Sequence, residues 1–209
     1  MRHPLAIFLL TCALMSAAAP AARAARARGV TAVGVKAGIS LANIFGEDVF
    51  DQRFKLGPAL GGFLTYSLSD RFAVQPEVLF VMKGSRYEST RFGEYKETMD
   101  FSYLEVPLLA KYILARGPVS FNAFAGPALA LKLSAKVRYQ WEGISEEEDM
   151  EGMKGADLGL ALGAGTAYQV SRSGRLSLDL RYTFGLTNID DDGDSVKNGA
   201  FLLLVGWAF

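Results

Sequence analysis

Histidine and cysteine are almost missing from this sequence of 209 residues, which holds one of each, His3 and Cys12. Both sit in an opening segment with the marks of a secretory signal peptide. Met1-Arg2-His3 leads into an apolar run from Leu5 to Leu14, and small residues follow, ending in Ala22-Arg23-Ala24. The run is about ten residues against the roughly 20 that a spanning helix needs, so it reads as an address and not an anchor. Cleavage after Ala24, or at the alternative positions after Ala19 or Ala27, removes both residues. Cys12 follows Leu9-Leu10-Thr11, and Thr is a poor residue before a lipidated Cys, so it reads as part of the signal helix. A mature chain without His or Cys has no disulfides, and it lacks the ligands and bases of the usual zinc sites and catalytic triads. The expectation is a protein that is not an enzyme and carries no cofactor.

A strong charge of either sign is also missing. Removing residues 1–24 takes two arginines and leaves 20 basic against 22 acidic side chains, which gives no basic face for nucleic acid. No later apolar run is long enough to cross a bilayer as a helix. Yet half of the residues are hydrophobic, too many for a disordered chain, and the length suits one domain.

That apolar content is dispersed at every second residue, the signal of a strand with two unlike faces. In the last segment Phe201, Leu203, Val205, Trp207 and Phe209 share one face, with Leu202, Leu204, Gly206 and Ala208 opposite. The same alternation recurs over 33–41, 58–68, 72–83, 103–112, 120–133, 157–169 and 176–184. Eight strands of about ten residues meet the length and minimum number for a transmembrane β-barrel. The connections sort in strict alternation. Ser69-Asp70-Arg71, Ala115 to Pro118 and Ser171 to Gly174 are tight turns, whereas 43–56, 84–100, 135–155 and 188–199 are long. Short and long connections at opposite ends predict an all-β, eight-stranded antiparallel up-and-down barrel in the outer membrane, with both termini periplasmic.

Aromatic residues cluster on the apolar face near the short turns and the last strand: Tyr66, Phe72, Tyr112, Phe121, Tyr168, Trp207 and Phe209. They are expected to form a periplasmic girdle at headgroup depth. Phe209 also resembles the terminal aromatic signal read by the barrel-assembly machinery. The opposite face carries Lys36, Lys83, Lys111, Lys132 and Arg181 with Glu77, Glu105, Asp157 and Asp179. An eight-stranded barrel has an interior that side chains fill, so these charges are expected to pair into a plug. Glu77 and Glu105 could form an acid pair on adjacent strands, but each has a lumen cation near it, and salt bridges are the favoured reading.

Two acidic clusters lie in the long loops: Glu142, Glu146, Glu147, Glu148, Asp149 and Glu151, and the run Asp190, Asp191, Asp192 and Asp194. Asp190, Asp192 and Asp194 have the alternating spacing of a calcium loop. Gly193 is misplaced for that motif and Phe201 stands where its final Glu belongs, so a solvated acidic loop is favoured over a metal site. Gly159, Gly163 and Gly165 read as room for lumen side chains rather than a phosphate cradle, because no helix follows them.

The segments GVKAGISLANI (34–44), FAVQPEVLFVMKG (72–84), YLEVPLLAKY (103–112), AGPALALKL (125–133) and LRYTFGLTNI (180–189) resemble the PorT-like outer-membrane β-barrel family. The resemblance covers nearly all of the mature chain. It implies an eight-stranded barrel, and its namesake is implicated in assembling a protein secretion system. Pro76, Pro107 and Pro127 fall inside expected strands, where a closed barrel has no edge to hide a missing N–H, so bulges are expected there. The expected organisation is a signal peptide over 1–24, a short segment over 25–32 and the barrel over 33–209. Its expected partners are outer-membrane lipid, the assembly machinery at Phe209 and envelope proteins at the long loops, in a structural or interaction role in secretion or envelope assembly. The alternatives are a periplasmic soluble barrel holding a small apolar ligand, and a narrow solute channel.

Overall fold

The computed structural model describes residues 29–46, 53–89, 95–141, 144–150, 152–189 and 196–209. The signal segment, Glu142, Glu151 and the aspartates at 190, 191, 192 and 194 lie outside the described residues. Alternating sequences become strands in chain order: β1 (Gly29–Gly46), β2 (Arg53–Ser67), β3 (Phe72–Ser89), β4 (Tyr95–Ala115), β5 (Val119–Trp141), β6 (Ile144–Asp149), β7 (Ala156–Gln169), β8 (Arg175–Gly185) and β9 (Val196–Ala208). All neighbours pair antiparallel, and the sheet closes on itself because β1 pairs with β9 and β4 pairs with β5. Eight strands form the wall. β6 pairs with β5 alone among the described strands, above the level where β7 takes over as β5's partner.

The ninth strand corrects the expectation of eight strands, and it lies within the long connection expected over 135–155. Past a register shift opposite Ser102 and Tyr103, β5 runs on to Trp141 and folds back through β6 as a hairpin. β3 and β4 likewise continue to Ser89 and Tyr95, well into the stretch read as a loop. β1 begins at Gly29 rather than Val33. The short connections are turns, closed by bonds such as Leu68 N–H to Phe72 O at 2.9 Å and Val170 N–H to Gly174 O at 3.0 Å. The Ser69 hydroxyl accepts from the backbone of Arg71 and Phe72, the local bonding that makes Ser a turn residue. Gly29 pairs with Ser67 and Ala208 with Arg175, so both described ends of the chain lie at the short-turn end.

The faces are inverted relative to a soluble domain. Leu176, Leu178 and Leu180 leave 43%, 46% and 57% of their surface outside, and comparable rows run along β1, β5, β7 and β9. A continuous apolar girth of this extent is far beyond the patches a soluble monomer tolerates, and it matches a hydrocarbon surround. The inward face is not uniformly polar. Ala42, Ala59, Leu79, Val81, Ala200, Leu202 and Leu204 form one buried apolar cluster, and Ile44, Phe101, Tyr103, Ala130, Ala135 and Ile189 form another toward the long connections.

The prolines are accommodated differently from the expected bulges. Register is constant across all three, while pairing lapses where each would donate to the preceding strand. Leu64 and Thr65 are unpaired with Pro76 and Gln75, Glu77 and Val78 with Pro107 and Val106, and Leu108 and Leu109 with Pro127 and Gly126. On the other side each keeps its partner: Pro76 with Leu108, Pro107 with Ala128 and Pro127 with Leu160. The bulges lie elsewhere, between Phe54 and Ala59 for example. A proline lacks the donor but keeps the carbonyl, so one edge can lapse without shifting the chain. Hydrogen exchange tests the resulting seam. The amides of Leu64, Glu77 and Leu108, which face the lapses, are expected to exchange about ten-fold or more faster than those at 178–180 and 203–205, whose ladders are unbroken. Uniform protection would contradict the lapses.

Candidate functional site: the lumen and its short-turn mouth

Alternation puts every second residue of eight strands into one narrow interior, so inward charges must find partners there or pay for desolvation. Glu77 is the node. Its Oε1 accepts from Lys36 Nζ at 2.7 Å and from Gln75 Nε2 at 2.6 Å, and its Oε2 accepts from Arg181 Nη2 at 2.7 Å. Lys36 also donates to Asp179 Oδ2 at 2.5 Å. These side chains come from β1, β3 and β8, and all four charged ones are almost completely buried. Toward the long connections Lys83 meets Glu105 at 2.7 Å, and Lys55 meets Asp100. Glu77 and Glu105 therefore each face cations rather than each other.

Not every expected charge is paired. Asp157 is held by neutral donors, Thr187 Oγ1 at 2.8 Å and Asn198 Nδ2 at 3.2 Å, with Asn198 also donating to the Tyr103 hydroxyl. Lys132 donates to the carbonyl of Met153. Lys111 donates to Gln75 Oε1 at 3.0 Å. Lys55 and Asp100 escaped the sequence reading because both lie in or beside stretches assigned to loops.

Two phenylalanines were also missed. Phe63 and Phe124 point inward and lie against glycines on the facing strand. A Cβ at Gly34 would sit 2.6 Å from the Phe63 ring, and one at Gly163 would sit 2.7 Å from the Phe124 ring. The glycines thus make room for rings more than for long charged chains. Each ring gives its face to cations: Lys36 stands 4.9 Å from the Phe63 centre, and Lys111 and Arg181 stand 5.6 and 5.5 Å from that of Phe124. A Phe opposite a Gly on adjacent alternating strands is the signal that pairing register makes visible.

Below the network the lumen widens into a cavity of about 500 Å³ in the short-turn half. Lys36, Gln75, Lys111, Asn122 and Asp179 line its inner part, and Arg116 and Arg175 its rim. Outside, Tyr66, Phe72, Phe121, Tyr168 and Phe209 are exposed at this end, with Tyr112 and Trp207 half-buried. Phe72 stacks on Tyr112, whose hydroxyl receives a bond from Arg71. Phe45, Phe54, Phe184 and Phe201 are exposed toward the other end, a second aromatic row hidden in the sequence because Phe45 and Phe54 fall in a stretch read as a loop. Among the described residues no three His, Cys, Asp or Glu side chains converge as metal ligands.

The hairpin of β5 and β6 carries its own exposed charges. Glu147 accepts from Lys136 at 2.5 Å and from Arg138 at 2.8 Å. These two bonds hold its carboxyl down at about 2.

Comparison with known proteins places this geometry. Residues 24–191 match the family model described as an outer membrane protein beta-barrel domain. Among solved structures, the attachment invasion locus protein Ail of Yersinia pestis is similar at 18% identity, covering 87% of this chain and 99% of its own, with a TM-score of 0.45. Outer membrane protein OprG of Pseudomonas aeruginosa is similar at 12% identity over 88% of this chain and 96% of its own, with a TM-score of 0.46. Neisserial surface protein A is similar at 15% over 85% and 97%, with a TM-score of 0.44. No curated protein sequence matches the chain.

Two measurements probe the charges. Glu77→Gln leaves Lys36 and Arg181 short of a carboxylate, and is expected to lower the unfolding free energy in urea by about 3–5 kcal/mol; a loss below about 1 kcal/mol would show that Glu77 is not the node. Glu147 contributes to hairpin stability above its unfolded value near 4.5 and loses that contribution as pH falls toward 2. Its carboxyl carbon is expected to titrate near 2 in NMR, and to return toward 4.5 when Lys136 and Arg138 are both replaced by Met.

Proposed function

The chain belongs to the outer membrane protein beta-barrel domain family, and from that premise we propose that it works without catalysis, as an integral outer-membrane scaffold that presents its long-connection end to envelope partners. The PorT-like motifs extend the proposal to an accessory role in protein secretion or envelope assembly. The observation that carries this reading is the contrast between a closed apolar wall and an interior given over to internal pairing. Glu77 pairs with Lys36 and Arg181, Lys36 also pairs with Asp179, and Leu79, Val81, Leu202 and Leu204 pack in the same lumen. Such an interior suits rigidity better than transport or storage of an apolar ligand. The absence of His and Cys from residue 25 onward supports a role without catalysis.

The proposal includes an orientation. Export through a cleaved segment over 1–24 delivers a barrel with its short turns and both chain ends in the periplasm and its hairpins outside. The β3–β4 and β5–β6 ladders extend past the apolar girth as stiff projections rather than slack loops, and binding residues favour such positions on a rigid scaffold. A mature chain without cysteine makes single-cysteine labelling clean. Glu146→Cys is expected to react with a membrane-impermeant maleimide in intact cells, and Arg172→Cys only after the outer membrane is permeabilised. The opposite pattern overturns the orientation. The interaction role is tested by photo-crosslinkers at Tyr139 and Glu146, which should capture one and the same envelope protein that a crosslinker at Leu178 does not. Capture of lipid alone at all three positions would remove it.

A further inference from the structure

The lower lumen does not balance. It holds three cations, Lys36, Lys111 and Arg181, against two carboxylates, Glu77 and Asp179. Lys36 binds both carboxylates and Arg181 binds Glu77. Lys111 receives neither, and among the described residues no carboxylate lies within ion-pair reach of it. Of its three ammonium hydrogens, one is accounted for by Gln75 Oε1 at 3.0 Å, and its remaining neighbour in that space is the face of Phe124. Lys111 is half-buried, and a lumen ammonium without a counter-charge favours an anion beside it.

The place for that anion is the cavity of about 500 Å³ that Lys111 lines. Arg116 and Arg175 stand at its rim, and neither makes an ion pair among the described residues. Asp179 is the sole acid among the lining residues, and its Oδ2 is engaged by Lys36. Asn122 and Asp179 flank Gly165 on adjacent strands, and Asn122 Oδ1 and Asp179 Oδ1 are buried without a hydrogen-bond partner. Gly165 leaves room for the Asp179 carboxyl, since a Cβ there would lie 2.1 Å from Asp179 Oδ1. Lys111, Arg116 and Arg175 offer several N–H donors around one cavity, which suits an oxyanion of the phosphate class better than a halide. The cavity is walled from lipid by the strands, so its occupant enters from water.

We propose that the short-turn mouth of the barrel is a binding site for a small, water-soluble oxyanion of the phosphate class, with Lys111 at its base and Arg116 and Arg175 at its rim. This goes beyond the scaffold role and does not depend on any partner at the long connections. Lys111 comes from β4, Arg116 from the β4–β5 turn and Arg175 from β8, so the site is complete within one chain.

The test uses the whole barrel refolded in detergent, with inorganic phosphate as the probe and chloride at equal ionic strength as the control. Phosphate is expected to give saturable NMR shifts at Lys111, Gln75 and Asn122, and chloride is not. Lys111→Met should weaken binding about ten-fold or more, the range for loss of a charged hydrogen bond, while Lys111→Arg retains it. Without phosphate, Lys111→Met should unfold at the same temperature as the parent or higher, because it removes a surplus charge; a merely structural lysine would instead be missed. Should Lys111→Met fail to fold, the rim variant Arg116→Ala/Arg175→Ala carries the test, with weaker phosphate binding and an unchanged unfolding temperature expected. Shifts that never saturate, that match those from chloride, or that persist undiminished in the lysine or rim variant overturn the proposal.

Discussion

The ion network that ties the far walls of this barrel together turns on one carboxylate. Eight strands leave an interior only as wide as the side chains that fill it, and the wall cannot part to admit much water around a buried charge. Glu77 meets that constraint by joining β3 to β1 through Lys36 and to β8 through Arg181. The bonds run across the lumen, between strands that are not neighbours in the sheet. They resist flattening of the cross-section in a way that ladder hydrogen bonds, which act along the wall, cannot. Asp179 extends the same tie within β8, two residues from Arg181 on the same face.

The remaining lumen is organised by polarity along the axis. A mixed cavity occupies the short-turn half, the ion network follows, and apolar clusters thicken toward the long connections. Phe101, Tyr103 and Ile189 are almost wholly buried there, with Met150 and Met153 packed against them from the connecting segment after β6 and Val196 from the start of β9. The connecting chain therefore caps the barrel by hydrophobic burial, and the lysines beneath it keep their partners away from water.

Much of the wall was legible because period two is unmistakable when one face meets hydrocarbon. The outward rows of β7, β8 and β9 and the short turns at 68–71, 116–118 and 170–174 stand where alternation and turn chemistry put them. The same rule found the lumen charges by position, but it carries no information about which strands face each other across the interior. For that reason Lys111 could not be told from Lys36 in the sequence. The β5–β6 hairpin was missed because β6, Ile144 to Asp149, is wholly exposed and four of its six residues are acidic, so alternation had no apolar face to show. Prolines misled in the other direction: the rule that a missing donor demands a bulge ignores the option of a lapse on one side.

That option has a mechanical consequence. The three lapses fall on consecutive interfaces, β2–β3, β3–β4 and β4–β5, whereas the closing seam runs unbroken from Gly34 against Ala208 to Gly46 against Val196. One half of the circumference is stitched at every residue and the other is perforated along a diagonal. Under lateral pressure from the bilayer the tube should not deform evenly. It should crease along the perforation and become oval, with β3 and β4 moving and the junction between the first and last strands staying still.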